Sequence, residues 1–479
     1  MPPIHDDLYI DGRWRPAHGV GQLEVVNPTT EEVWAHVPSG DSHDIDSAVA
    51  AARRAQHGWA STPPSARATL IRKFADEIEA IGKELSRVIT TENGTPISET
   101  ASAPSHAAAH LRLVADLEHE LTRDDIRPNP MSPGSSLVQR RPLGVAGLIT
   151  PWNFPLGLMI IKLGPALLAG CTTVLKPAPQ TPMAARLLMD AVTAAGFPPG
   201  VINLVTGGND AGVALVEHPD VDKISFTGST LAGRSIGAAC GERLRPVTLE
   251  LGGKSAAIVL EDADLDMLAA NILRVAMRNT GQTCKACTRL LVPANQYDRV
   301  VDLVSDVVSS APMGDPFDPT TFFGPLVSAT QRTRVLDYLD IGRSEGAKAV
   351  VGGGAATEFS RGYFVQPTVF RDVTPGMRIA REEIFGPVLS VLPYTDIDDA
   401  VAQTNDSPYG LAGAIFSRDI DRAVAVASRI DSGNIGINHY GSNAAAPFSG
   451  HKDSGLGTEF GPEGLAQYMS YTSVHLQTR

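Results

Sequence analysis

The chain has 479 residues, and at roughly 150 residues per domain that is about three domains, or two with one split in sequence. Hydrophobic residues are 43% and charged residues 19%, and with 45 Gly and 35 Pro the chain is not of low complexity, so disorder as the dominant state is excluded. A net charge of −13 without any long Lys/Arg run excludes a general binder of nucleic-acid backbones, and four cysteines in so long a chain are no disulfide framework.

Met1 to Asp7 has neither the basic start nor the apolar stretch of a signal peptide, and Gln477-Thr478-Arg479 carries no lipidation motif, so the expected location is cytoplasmic. Tyr9-Ile10-Asp11-Gly12-Arg13-Trp14 sets an Asp-Gly turn between apolar residues, which predicts a small antiparallel hairpin at the start of the fold. From Leu70 the residues Ile71, Phe74, Ile78, Ile81, Leu85, Val88 and Ile89 recur at helical spacing between Pro63-Pro64 and Asn93-Gly94, predicting one amphipathic helix of about 25 residues. Arg123 to Ser136, with three prolines, reads as an excursion from the first α/β unit, followed by an extended arm at Leu137 to Arg140. Leu156 to Leu175 is the one stretch resembling a membrane span, but Lys162 and Gly164-Pro165 interrupt it, and a buried helix running into a strand is expected. Between Val145 and Val259 short apolar runs (Val145 to Ile149, Thr172 to Leu175, Val201 to Val205, Lys223 to Phe226, Ala256 to Val259) alternate with helix-length segments, which predicts parallel βαβ units. The alternation resumes from Thr283 to Asn438, with helical patterns at Tyr297 to Val308 and Gln331 to Glu345, so two α/β domains are expected. Tyr468 to Gln477 reads as a terminal strand.

Residue chemistry singles out five places. Cys284 follows a Gly281-Gln282-Thr283 turn and precedes Lys285-Ala286-Cys287; on residue types alone it fits an exposed nucleophile, half of a dithiol redox pair, or half of a zinc site for which the histidines supply no matching cluster. Cys171 and Cys240, among apolar or small neighbours, read as inert buried thiols. Glu250 stands between Leu249 and Leu251 before Gly252-Gly253-Lys254; an apolar setting raises a carboxylate's pKa, so it suits a base near neutral pH or, equally, a strand-edge ion pair. Asn153, in Thr150-Pro151-Trp152-Asn153-Phe154-Pro155 at the end of a predicted strand, is either a turn residue or an amide donor to a developing oxyanion. Thr227-Gly228-Ser229-Thr230-Leu231-Ala232-Gly233 is a strand-to-helix turn suited to a pyrophosphate, though its glycine spacing matches neither a P-loop nor the usual dinucleotide fingerprint. Lys176 ends another strand, either free in solvent or within reach of a ribose or phosphate.

In order and spacing these pieces closely resemble the aldehyde dehydrogenase superfamily. The resemblance runs from Val26-Asn27-Pro28 through Pro151 to Pro155, Phe226 to Ser229, Leu249 to Lys254 and Gly281 to Cys284, and on to Glu382-Glu383-Ile384-Phe385-Gly386-Pro387, Pro447 to Gly450 and Lys452 to Gly455. It implies an α/β fold with a Rossmann-type NAD(P)-binding domain (1–122 and 142–252), an α/β catalytic domain (253–452) and a small β extension (123–141 and 453–479) that joins subunits into homodimers or homotetramers. It implies no metal, and the aldehyde as the small-molecule partner, with neither nucleic acid nor membrane. Carried over by motif, Cys284 is the nucleophile, Glu250 the general base, and Asn153 with the Cys284 backbone N–H the oxyanion hole. Glu383 and Phe385 match positions that hold the nicotinamide ribose and ring, Lys176 the adenosine-ribose lysine, and Ser229 a pyrophosphate contact; Thr150, Pro151, Trp152, Pro179, Gly228 and Leu251 complete the expected coenzyme surface. Lys162 matches a lysine beside the site, and Phe154, Gly157, Leu158, Ile161, Thr283, Lys285 and Phe448 are the expected substrate pocket. Family members that release the acyl group to coenzyme A lack the glutamate, so Glu250 favours a free carboxylic acid as product over an acylating semialdehyde enzyme. A non-catalytic relative need not keep Cys284, Glu250 and Asn153 together.

Three departures shape the expectations. Pro179 stands where NAD-selective relatives often carry a glutamate that repels a 2′-phosphate, so either NAD or NADP is expected to serve. Lys285 directly follows the nucleophile, where it would lower the thiol pKa, attract an acidic substrate group, or point into solvent. Gly157 and Ile161 replace bulkier residues, which implies a wider pocket for branched, aromatic or long aliphatic aldehydes, with the loop Asn438 to Ala446 at its entrance.

Overall fold

A computed structural model describes residues 6–122 and 125–477. An eight-stranded sheet runs edge to edge through Arg13–Pro16, Asp7–Ile10, Ile202–Leu204, Thr172–Lys176, Val145–Ile149, Lys223–Thr227, Val247–Glu250 and Gly455–Leu456. Its five central strands are parallel, and the pairs at the two edges are antiparallel. The central strands are buried along their length, as unbroken apolar runs such as Val145–Ile149 require of a sheet covered on both faces. Taken in chain order the central five lie as 3-2-1-4-5, so the strand order reverses between Val145–Ile149 and Lys223–Thr227. Loops that leave the carboxyl ends of strands at such a reversal part and leave a crevice.

The second sheet has seven strands, in the order Lys348–Val351, Thr368–Arg371, Val388–Tyr394, Arg289–Pro293, Ala256–Val259, Ala412–Phe416 and Asn434–Ile437, all parallel except the first pair. Gly252 to Ser255 carries the chain from the first sheet to the second, and the segment after Ile437 returns it to Gly455–Leu456. A third, antiparallel sheet joins Met469–Leu476, Ser135–Pro142 and Ile126–Pro128, so the proline-rich excursion, the arm and the tail meet in one element. Among the described residues no helix is long and apolar enough to cross a membrane.

Most predicted elements lie where the periodicity put them, including the buried helix Pro155–Ala169 running into Thr172–Lys176. Two expectations need correction. The single helix over residues 70–89 is two, Pro64–Ala80 and Gly82–Asn93. Ile81, at φ −96° and ψ 11°, has left the helical well, and the poor helix former Gly82 follows it, packed against Pro104 where a β-carbon would lie 3.1 Å from the proline ring. The apolar spacing is continuous through this joint because both helices bury the same face. The stretch 453–468, expected within the β extension, is shared differently: Gly455–Leu456 pairs with Leu249 and Glu250 at the edge of the first sheet, and Gly461–Ala466 packs against the helix Pro155–Ala169.

Candidate active site

The crevice at the strand reversal is a cleft of about 250 Å³. Pro151, Trp152 and Asn153 enter it from the end of Val145–Ile149, and Thr227, Gly228 and Ser229 from the end of Lys223–Thr227. Leu251 and Gly252 come from the chain that leaves the first sheet; Cys284, Glu383 and Phe385 come from loops that lead into strands of the second sheet. Three expected coenzyme residues are not on this wall. Thr150 lies behind it, buried, its N–H donating to the Lys176 carbonyl at 3.1 Å. Lys176 is buried with its ammonium donating to the Pro177 carbonyl at 3.2 Å, and burial holds it down to about 8. Pro179 lies in the loop after Lys176, half-buried.

Backbone shape brings Cys284 to the cleft. Asn279, Thr280 and Gly281 follow one another at φ 52°, 54° and 73°, a left-handed run that side chains oppose, and a β-carbon on Gly281 would lie 2.0 Å from the Gly386 carbonyl. That close approach draws the segment bearing Glu383 and Phe385 against the cysteine loop. Side chains then pin the loop: Thr283 Oγ1 donates to the Arg278 carbonyl at 3.0 Å, and Gln282 Oε1 accepts from Val327 N–H at 3.0 Å. Asn153 Nδ2 donates to the Gln282 carbonyl at 3.0 Å, while its own carbonyl accepts from Asn279 Nδ2 at 2.9 Å. The Thr95 hydroxyl sits between Oδ1 of Asn93 and of Asn279, at 2.5 and 2.8 Å. The amide expected to serve an oxyanion is therefore held by a buried network whose other members the sequence did not single out.

Cys284 is half-buried on the cleft wall, and its thiol is pushed up to about 12, chiefly by burial and then by Glu383 and Glu250. Of the three roles open to Lys285, lowering the thiol pKa is present in direction, but the pull does not prevail over burial and the two carboxylates. Glu250 ends the strand Val247–Glu250, 4% exposed, with no hydrogen-bond partner for either oxygen. Burial, and next the neighbouring Glu459, hold it well above the usual carboxylate range against the pull of Lys162. Lys162, fully buried, donates to Glu459 Oε1 at 2.6 Å and to Ser225 Oγ at 3.2 Å. Glu459 was not foreseen; a lone glutamate among turn residues carries no local signal.

Elsewhere on the wall Ser229 caps the helix Thr230–Glu242, its Oγ accepting from Ala232 N–H at 3.3 Å, and Thr227 Oγ1 is buried without a partner. The rings of Trp152 and Phe385 meet edge to face at 5.3 Å. Glu383 Oε1 accepts from Gly253 N–H at 3.1 Å, and burial pushes the carboxyl up to about 7. A β-carbon on Gly252 would lie 2.5 Å from Glu383 Oε2, so only glycine lets this carboxylate in. The sequence also missed Gln331 and Arg334, one helical turn apart on Ala329–Ser344; Gln331 Nε2 donates to the Ile384 and Phe385 carbonyls at 3.1 and 2.8 Å. Helix cap, unpartnered hydroxyl and ring pair together fit an elongated phosphate-bearing ligand with an aromatic end near Cys284.

Beyond Asn153 lies a second cavity, of about 240 Å³, that shares this residue with the cleft. Phe154, Gly157 and Ile161 line it as expected, with Ile160 from the same helix, Ala103, Ala107 and His110 from the facing helix Ala103–Asp116, and Phe460. Arg278 stacks on the Phe154 ring at 5.1 Å and pairs with Glu99 at 2.5 Å. Four expected pocket residues lie elsewhere. Leu158 is half-buried on the helix but off the wall, and Thr283 is buried holding its loop. Lys285 and Phe448 line a third cavity, of about 170 Å³, with Tyr440 and Ser442.

The family model for the aldehyde dehydrogenase family matches residues 14–474. Geranial dehydrogenase of Castellaniella defragrans is 47% identical over 98% of this chain and 99% of its own length. Among solved structures, aldehyde dehydrogenase C of Pseudomonas syringae, a cysteine-to-alanine mutant complexed with NAD+ and octanal, is 41% identical with a TM-score of 0.94 over 98% of this chain and 96% of its own. An aldehyde dehydrogenase of Mycobacterium tuberculosis complexed with NAD+ is also 41% identical, with a TM-score of 0.95 over 99% of this chain and 98% of its own. By matched length, identity and fold, this chain belongs to the aldehyde dehydrogenase family and is an NAD(P)-dependent oxidoreductase acting on aldehydes.

Proposed function

We propose that Cys284, Asn153 and Glu250 carry out a hydrolytic aldehyde oxidation that ends in a free carboxylic acid. The observation that carries this reading is the carboxylate of Glu250, buried at the strand end next to Leu251 of the cleft wall and without a hydrogen-bond partner for either oxygen. A thiol near 12 is neutral at pH 7, and a carboxylate held well above its usual range is a competent acceptor for its proton. The thiolate sulfur adds to the aldehyde carbon, and Asn153 Nδ2, already oriented by Gln282, donates its second N–H to the oxyanion together with the Cys284 backbone N–H. A bound nicotinamide coenzyme supplies the hydride acceptor. Trp152, Phe385 and Glu383 orient its reactive end and Ser229 its pyrophosphate, and Lys176 and Pro179 serve its adenosine end. Once Glu250 has passed the thiol proton to solvent, the resulting thioester is cleaved by a water whose proton goes to Glu250 and on to the departing sulfur, so the acyl carbon gains the hydroxyl and Cys284 regains its thiol. Lys162 keeps the second carboxylate, Glu459, paired while Glu250 changes charge.

The octanal bound by the Pseudomonas relative and the name of the Castellaniella relative favour an apolar aldehyde, and the second cavity is lined mainly by aliphatic and aromatic side chains. The third sheet supports association into homodimers or homotetramers: Ile126, Tyr471, Val474 and Leu476 leave apolar surface exposed on it. Four free cysteines accord with a cytosolic location. The test is coenzyme reduction by purified protein with aliphatic and aromatic aldehydes, NAD and NADP in parallel. Cys284→Ala is expected to abolish it, by about 10⁴-fold or more. A requirement for coenzyme A would overturn the role of Glu250, and turnover surviving in Cys284→Ala would overturn that of the thiol. Without a glutamate at Pro179, NADP is expected to work alongside NAD.

A further inference from the structure

Lys285 has found an unusual place. Its backbone follows the proposed nucleophile, and its ammonium donates to Ser442 Oγ at 2.8 Å and lies 4.7 Å from the centre of the Tyr440 ring. Ser442 lines both the second and the third cavity, so the ammonium stands at the seam between them. Among the described residues no carboxylate lies within 4.0 Å of it. Burial works against the lysine's charge, and so to a lesser degree does the neighbouring cation Arg278, which is itself satisfied by Glu99. A half-buried cation without a counter-ion is a costly arrangement, and it is relieved when a ligand brings the missing negative charge.

We propose that Lys285 is a specificity residue that receives a carboxylate on the substrate, making short aldehydes with a terminal carboxylate preferred over uncharged aldehydes of equal length. The inference rests on the aldehyde-oxidising role of Cys284. Lys285 directly follows Cys284 in the chain and its stem has only four carbons, so its ammonium suits the carboxylate of a short-chain substrate. The second cavity takes the apolar body of longer substrates, and the seam takes the charge. A quaternary ammonium aldehyde meets two cations and no unpaired anion at the same place, and is disfavoured.

The experiment compares kcat/KM for 4-oxobutanoate and butanal in the wild type, Lys285→Met, Lys285→Arg and Ser442→Ala. In the wild type 4-oxobutanoate is favoured by about tenfold or more; Lys285→Met removes most of this ratio and Lys285→Arg restores much of it, since a charge-assisted contact needs the charge. Ser442→Ala, which removes the tether but keeps the charge, retains the preference. A wild type that oxidises butanal and shows no such preference overturns the assignment of Lys285 while leaving the oxidation reading intact, as does a ratio unchanged in Lys285→Met. A wild type that oxidises neither compound overturns the oxidation reading, and this assignment with it.

Discussion

The cleft that holds Cys284 and the cavity beyond Asn153 are nearly equal in size, about 250 and 240 Å³, and share that one residue. They are built by different means. The cleft is shaped by backbone: strand ends at a reversal of sheet order, a left-handed run at residues 279–281, and glycines at 252 and 281 where a β-carbon would collide with Glu383 or Gly386. The cavity is shaped by side-chain size on helices that pack face to face, where Ala103, Ala107 and Gly157 simply leave room. A wall of the first kind fixes chemistry and tolerates little change; a wall of the second kind can be resized without moving the chemistry.

The comparison is tested hardest at the cleft's own edge. Glu250→Gln is expected to lower steady turnover by about 10² to 10⁴-fold for every aldehyde alike, and to slow the first burst of coenzyme reduction with it, because thiol activation and thioester release both call on the base. Rapid-mixing absorbance separates the two phases. The wild-type release step has a matching pH dependence. A raised carboxyl pKa means that the base fraction grows as pH rises, so release is slow in acid and climbs to a plateau through a midpoint well above the usual carboxylate range. A midpoint at or below an ordinary carboxylate's value would show that Glu250 is not the group being titrated.

A smaller and more selective effect is expected from the cavity. Gly157 faces open space, with nothing within 4 Å of where a β-carbon would stand. Gly157→Phe therefore meets no obstacle at its β-carbon and sets its ring into volume that only larger substrates use. It should lower kcat/KM for octanal by about 10 to 200-fold and leave acetaldehyde nearly untouched. Equal losses for both aldehydes would mean that the cavity is not the path of the substrate chain.

The same division explains what was readable beforehand. Pro151, Trp152, Gly228, Ser229, Leu251, Glu383, Phe385 and Cys284 sit in short motifs where a turn former stands beside a chemically active residue, and all of them line one cleft. Of the expected pocket only Phe154, Gly157 and Ile161 line the cavity, because much of its remaining wall is made of residues such as Ile89, Ala103 and Ala107 on helices, with nothing local to mark them. Pairings across the chain were out of reach as well: Lys162 and Glu459 are 297 residues apart, and neither neighbourhood names the other. The strand alternation was legible because burial on both faces forces continuous apolar runs. The break at Ile81 was not, since two helices burying one face keep a single periodicity.

The mildest substitution examines the border between the two kinds of wall. Cys287 lies three residues beyond Cys284, fully buried, its Sγ 4.0 Å from the Lys285 carbonyl. Burial pushes this thiol up to about 12, so at neutral pH it is a small uncharged filler and not a second nucleophile. Cys287→Ser keeps the size and a donor, and should change kcat/KM by no more than about twofold, with a stability cost of about 1 kcal/mol read as a small drop in Tm. A severe loss of turnover in this variant, with the fold intact by circular dichroism, would bring back the dithiol reading of Cys284 and Cys287. Mild behaviour places Cys287 with the residues that hold the loop's shape, leaving Cys284 as the one thiol of the pair whose chemistry the cleft exposes.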